Sequence, residues 1–340
     1  MKPSALVIYT GGTIGMVKDA ISGSLMPVNI DLLLQYIPEL SRIEAEIQIE
    51  TFETTLDSSD IMPEHWIKLV EIIERNYAAY DGFVILHGSD TMAYTASALS
   101  FLLENLGKPV ILTGAQLPIG VLRSDAKENF ITALELAVMR VNGCSILNEV
   151  CIYFEYHLLR GNRTTKYSAS HFNAFISPNY EALAEAGVNI QINERVLLPT
   201  PTQAPKFHKK LETQVAVLRL FPGMTEAYVR AVCEISGLKA LVIETFGAGN
   251  APTAPWFLEI IRKTINEGIC VINVSQCLNG SVEQGKYKTS QQLLDLGVIS
   301  AADMTIEATL CKLMFILTQY NYYEIGILLA KDFCGELSPN

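Results

Sequence analysis

Seven short apolar runs, ALVIY, FVILHG, PVILTGAQ, EVCIYF, VAVLRLFPG, ALVIETFG and CVINVSQ, recur along the chain, and many are separated by segments long enough to hold a helix. They are rich in β-branched residues and apolar at successive positions, so both faces of each strand must be covered. The intervening segments carry a helical period. After the start signal DIMPEHW, for example, Trp66, Leu69, Val70, Ile73 and Tyr77 fall on one helical face. Strands buried on both faces and alternating with helices predict an α/β fold with a parallel sheet.

One stretch breaks this rhythm. LLPTPTQAPKFHKKLET, residues 197–213, gathers three prolines with Thr, Gln and Lys and has no apolar period. It reads as a linker, placed at 196–211. On either side stand a larger N-terminal parallel-sheet domain of flavodoxin/Rossmann-like type, 1–195, and a smaller C-terminal α/β domain, 212–340. A chain of 340 residues agrees with two domains at roughly 150 residues each. No internal repeat is evident beyond the α/β rhythm.

Composition removes several classes of partner. Lys and Arg number 25 against 36 Asp and Glu, a net charge of -11, and no basic run interrupts the balance. Nucleic acid and anionic membrane are therefore excluded as partners. No stretch approaches the roughly 18 consecutive apolar residues of a membrane span, and MKPSALVIYTGG lacks a small-residue cleavage site, so a cytoplasmic protein is expected. The seven cysteines, at 144, 151, 233, 270, 277, 311 and 334, include no Cys-x-x-Cys pair and read as buried free thiols. The five histidines show no ligand spacing, so no metal is expected.

In open parallel sheets, ligands bind beyond the carboxyl ends of the strands. The residues there are TGGT after ALVIY, HGSDT after FVIL, TGAQLP after VIL, and FGAGN after ALVIET. TGGTIGM has neither the spacing of a phosphate loop nor that of a dinucleotide fingerprint. Thr13 alone reads as a turn hydroxyl bonded to its own backbone. Ser89 or Asp90 in HGSDT could be a helix N-cap, and Asp57, Ser58, Ser59 and Asp60 crowd another helix start, where capping uses one or two of the four. Lys166, in RGNRTTK, alone reads as a solvated surface lysine. A hydroxyl is a weak nucleophile until a base takes its proton, and a lysine of lowered pKa can be that base.

Taken together, TGGTIGM, DSSD, HGSDTMAYTA, TGAQLP and RGNRTTK resemble the bacterial-type L-asparaginase family, in its cytoplasmic type I branch. The similarity runs from TGGTIGM through FGAGNAP to AADMTIEATLCKL. TGGTI followed by HG-Ser/Thr-DT is a highly specific combination, whereas either motif alone is weak. The resemblance implies a cofactor-independent hydrolase that converts L-asparagine to L-aspartate and ammonia. Thr13 matches the family nucleophile, which forms an acyl ester. Ser89, Asp90 and Lys166 match its proton-relaying group, and Asp57, Ser58 and Ser59 its substrate clamp. Asp90 suits the α-ammonium, Ser58 the α-carboxylate, and the backbone N–H groups of Ser89 or Ala115 a developing oxyanion. The resemblance also implies a homo-oligomer, a dimer of dimers, in which Asn250 of GAGN reaches a neighbouring subunit's site.

Three departures from the family pattern stand out. Ser89 replaces the usual Thr. VKDAISGSLMPV has no Tyr, with Leu25 near its expected place. At a regulatory asparagine site known in some relatives, Thr165 is kept but Glu244 stands where an Arg is expected. Two rival readings accompany the main one: an amidohydrolase subunit of a transamidation complex, and a noncatalytic amino-acid-binding sensor. The first is disfavoured because such subunits carry an added N-terminal domain, and the second because binding alone does not require Thr13 and Lys166 together.

Overall fold

The computed structural model describes residues 2–18, 25–27, 35–285, 288–319 and 322–338. The chain divides into two compact units, Met1–Lys209 and Lys210–Asn340.

The first unit is built on an eight-stranded sheet. Its strands are β1 (Ser4–Gly11), β2 (Glu46–Leu56), β3 (Gly82–Leu86), β4 (Val110–Thr113), β5 (Val150–Phe154), β6 (His157–Arg160), β7 (Ala184–Ala186) and β8 (Ile190–Ile192). They lie in the order β8-β7-β6-β5-β4-β3-β1-β2. The neighbours from β2 to β5 are all parallel, giving the flavodoxin-like order 2-1-3-4-5, with its reversal of winding between β1 and β3.

β6, β7 and β8 add antiparallel pairs, so the sheet is mixed where the sequence predicts a parallel one. The change of direction is a two-residue hairpin after β5. Its residues Glu155 and Tyr156 both take the left-handed conformation, with φ of +44° and +68°. Such a turn matches the twist of its flanking strands, but it is usually signalled by Asn-Gly or Asp-Gly. Here the Glu155 N–H donates to the Asn129 side-chain oxygen Oδ1 at 3.1 Å. A partner distant in sequence thus supports the turn.

Helices α1 (Pro63–Asn76), α2 (Met92–Leu102) and α3 (Ala126–Val138) belong to this unit. α1 buries Trp66, Leu69, Val70 and Ile73, as their spacing requires. α3 sets Phe130, Ala133, Leu134 and Ala137 against Val7, Val84, Leu86 and Ile111 of the central strands. Much of the stretch read as a linker is strapped to this same unit. Lys206–Phe207 pairs with Leu103–Glu104, Phe207 packs edge-on against Tyr77, and the Leu198 N–H donates to Glu149. Prolines there mark the end of regular structure rather than the end of packing.

The second unit holds a four-stranded parallel sheet, in chain order: β9 (Val215–Arg219), β10 (Ala240–Thr245), β11 (Cys270–Ser275) and β12 (Ile299–Ser300). Its helices are α4 (Glu226–Cys233), α5 (Pro255–Asn266), α6 (Lys288–Leu296), α7 (Ile306–Ile316) and α8 (Tyr322–Leu329). Leu241, Ile243 and Val271 of the sheet meet Phe257, Ile261 and Leu293 in its core. Among the described residues no helix is long and apolar enough to cross a membrane. All seven cysteines are free, but Cys144 and Cys277 are exposed, contrary to the expectation of burial. Cys144 falls in a surface hairpin and Cys277 just past the end of β11, where neither faces a core.

Candidate active site

Beyond the carboxyl ends of β1, β2 and β3, the backbones approach too closely for side chains. Gly11 and Gly12 have φ of +129° and +86°. A Cβ on Gly12 would stand 2.4 Å from the Gly88 nitrogen, and one on Gly88 would stand 2.6 Å from Ser58 Oγ. Only glycine allows this conformation and this contact together. The Gly12 N–H donates to Leu56 O at 3.2 Å, which locks the end of β1 to that of β2. Thr13 follows at once, as the first residue of a single 3-10 turn, Thr13–Gly15. Ile14 and Gly15 are buried beneath, whereas Thr13 stays half-exposed at the rim.

The segment after β3 meets the segment after β2. Ser58 Oγ accepts from the Asp90 N–H at 3.2 Å, and Thr91 Oγ1 donates to Ser58 O at 2.6 Å. The N-cap of α2 is Thr91, without a side-chain cap bond, so neither Ser89 nor Asp90 caps the helix. Both face Lys166 instead. Lys166 Nζ donates to Ser89 Oγ at 2.8 Å and to Asp90 Oδ1 at 2.6 Å. It comes from a short strand, Thr165–Lys166, paired with Phe175–Ile176. The Lys166 side chain is 17% exposed and that of Asp90 64%, which leaves the carboxylate open to a ligand from solvent.

Asp57 is the N-cap of the turn Ser58–Asp60. Ser59 donates to its Oδ1 from N–H and hydroxyl, at 2.9 and 2.8 Å, and these bonds, the backbone one foremost, hold the carboxyl below its usual range. Asp57 and Ser59 are exposed, and Ser58 is buried between them. Ala115 is buried just past β4. Its neighbour Gln116, which the sequence reading did not single out, accepts from Ser89 Oγ at 3.3 Å and donates to His171 O at 2.9 Å. The Ser89 hydroxyl therefore accepts a hydrogen bond from Lys166 on one side and donates one to Gln116 on the other. The strand-end rule reached TGAQLP and could have found Gln116.

Its methyl-free side chain suits Ser89 to this bridging. Ser89→Thr is expected to keep activity, and Ser89→Ala to lower kcat by about 100-fold or more in an ammonia-release assay. Full turnover by the Ala variant would remove Ser89 from the chemistry.

His87, also missed, is fully buried below this loop. Its Nδ1 lies 2.6 Å from Gly88 O and its Nε2 lies 2.9 Å from Thr95 Oγ1, which accepts from Trp66 Nε1–H at 3.0 Å. Burial pushes the ring down from 6.5 to about 4. Between those values the unfolded chain binds the proton and the folded one does not, so stability present above pH 6.5 is lost as pH falls toward 4. The loss expected from this group is about 3 kcal/mol. Chemical unfolding at pH 7 and pH 4.5 should show it in the parent and not in His87→Asn.

Two of the remaining predicted residues, Asn250 and Glu244, lie in the second unit. Asn250 closes a tight loop, exchanging backbone bonds with Phe246 at 2.8 and 2.9 Å. Glu244 on β10 is paired across the sheet with Arg219 at 3.1 Å. Leu25 begins a short strand, Leu25–Pro27, paired with Met16–Lys18, and residues 19–24 of that loop lie outside the described residues. Among the described residues, no group of three or more His, Cys, Asp or Glu is placed to hold a metal ion.

Hydroxyls, a carboxylate and a lysine gathered at the winding reversal mark a ligand site of the kind that open α/β sheets form for small polar molecules. Comparison with known proteins narrows it. Residues 4–198 match the family described as Asparaginase, N-terminal, and residues 214–325 the Glutaminase/Asparaginase C-terminal domain. The chain is 42% identical to L-asparaginase 1 of Escherichia coli (strain K12), over 100% of this chain and 99% of that protein. It is similar to the crystal structure of L-asparaginase I from Vibrio cholerae, with a TM-score of 0.90 and 39% identity over the whole of both chains. The thermostable L-asparaginase from Thermococcus kodakarensis matches with a TM-score of 0.90 and 34% identity, over 99% of this chain and 100% of that one. The chain belongs to the asparaginase family.

Proposed function

We infer that this protein is an L-asparagine amidohydrolase, a hydrolase of amide C–N bonds that releases L-aspartate and ammonia. The observation that carries the reading is Lys166 Nζ held between Ser89 Oγ and Asp90 Oδ1, on the loop whose Gly88 touches the glycine preceding Thr13. In this reading Asp90 takes the substrate α-ammonium and Ser58 with neighbouring backbone donors takes the α-carboxylate, with Asp57 and Ser59 at the rim. Fixing both charged ends brings the side-chain amide to Thr13 by orientation. Thr13 attacks the amide carbon, its proton leaves with the ammonia, and an acyl-threonine ester remains. Water, activated through Ser89 and Lys166, then cleaves the ester. No cofactor enters the scheme.

We place the protein in the cytoplasm as a homo-oligomer, a dimer of dimers, in which the GAGN segment with Asn250 serves a neighbouring copy. This part of the reading is supported by the family resemblance. Two domains divided near residues 196–211 belong to the same reading. Thr165 and Glu244 are candidate regulatory residues, one in each unit. Glu244 presents a carboxylate already engaged by Arg219, which disfavours an anionic effector at that position.

Ammonia release from L-asparagine by the purified chain tests the function. Binding of L-asparagine without release would favour the noncatalytic sensor instead.

A further inference from the structure

The hydrogen bonds around His87 have a direction. The Gly88 carbonyl oxygen can only accept, so at 2.6 Å His87 Nδ1 must carry the hydrogen. At the other end Trp66 Nε1–H can only donate, so Thr95 Oγ1 accepts it and is free to give its own hydrogen to His87 Nε2. Both ends select the same neutral tautomer. The row therefore runs one way, from Trp66 through Thr95 and His87 to Gly88 O.

That last acceptor belongs to the peptide unit joining Gly88 to Ser89. The unit is trans, so its N–H points opposite to its C=O. With the Gly88 oxygen drawn toward the buried imidazole, the Ser89 N–H is turned away from it. This N–H has no partner among the described residues, and the next residue's N–H is already spent on Ser58. With no Cβ, the Gly88 backbone has little of its own to keep this plane from rotating.

We propose that His87 is a positioning residue: held in its Nδ1–H tautomer by Thr95 and Trp66, it fixes the Gly88–Ser89 peptide plane so that the Ser89 N–H is preset as an oxyanion donor. The inference rests on the amidohydrolase reading and extends it, since a preset donor acts on charge that develops only in the transition state. Its loss should lower kcat while leaving substrate binding in place.

The test compares His87→Leu, which removes the donor, with His87→Asn, whose amide nitrogen can reach the position of Nδ1. The expected result is a fall in kcat of about 10- to 100-fold in the Leu variant, with KM changed less than about threefold, and recovery of most of kcat in the Asn variant. A Leu variant that is folded and retains kcat overturns the proposal, and so does an equal loss in both variants. Nitrogen-15 NMR of the imidazole in the parent protein gives a second reading that needs no variant to fold. Hydrogen on Nδ1 and none on Nε2 is expected, and hydrogen on Nε2 overturns the proposal. The spectrum does not depend on the substrate, so a failure of the functional reading and a failure of the relay are told apart.

Discussion

Thr13→Ala is expected to lower kcat for L-asparagine by about 10⁴- to 10⁶-fold, the range seen when a nucleophile that works as part of a unit is removed. Thr13 is half-exposed at the rim of its 3-10 turn, so truncation opens no core cavity and the fold should persist. The groups proposed to hold the substrate's charged ends, Ser58 and Asp90, are untouched, so L-asparagine should still bind. Ammonia release and calorimetric binding measured on the same preparation separate the two effects. Thr13→Ser restores a hydroxyl and should recover part of the rate. If the Ala variant turns over within tenfold of the parent, the nucleophile is another group and the acyl-threonine scheme fails.

The second large effect is expected at Lys166. Lys166→Met keeps the length and apolar stem of the side chain and removes the cation that links Ser89 Oγ to Asp90 Oδ1. Proton transfer by a positioned side chain contributes about 10²- to 10⁴-fold, and kcat should fall within that range. Stability should change by less than about 1 kcal/mol, because Asp90 is largely exposed and water can replace the lost partner. Lys166→Arg should not rescue the rate, since a planar guanidinium cannot reproduce a point charge seated between two oxygens and does not release its proton. Steady-state kinetics of both variants decide the matter. A rate kept within tenfold in the Met variant would reduce Lys166 to a tether for Asp90.

Much of the fold follows from local pattern. The runs ALVIY, FVIL, PVIL and EVCIYF became β1, β3, β4 and β5, because β-branched residues apolar on successive positions have no stable place except a covered sheet. The hairpin at Glu155 and Tyr156 was not legible, because neither residue favours the left-handed conformation and the support comes from Asn129 on α3. The strap at 197–208 was also hidden, since a two-residue strand pairing carries no periodic signal.

The site divides in the same way. TGGT, HGSDT and TGAQLP could be chosen from sequence by their position after apolar runs, and the lysine of RGNRTTK only by its resemblance to a family. Nothing local joins Lys166 to Ser89, which lies 77 positions earlier. Gln116 and His87 lie inside strand-end motifs that the sequence reached, but their roles were not legible, because an amide after a strand and a histidine at a strand end serve equally well as plain packing or turn residues.

The sequence by itself determined that this is an α/β chain with hydroxyl and carboxylate residues stationed at strand ends, since strand and helix periods and glycine placement are local properties. Only the tertiary structure decided which strand ends meet. Strand order is set by long-range pairing and by the packing of helices on both faces, and the 2-1-3-4-5 winding is what brings Gly12, Ser58 and Gly88 into contact.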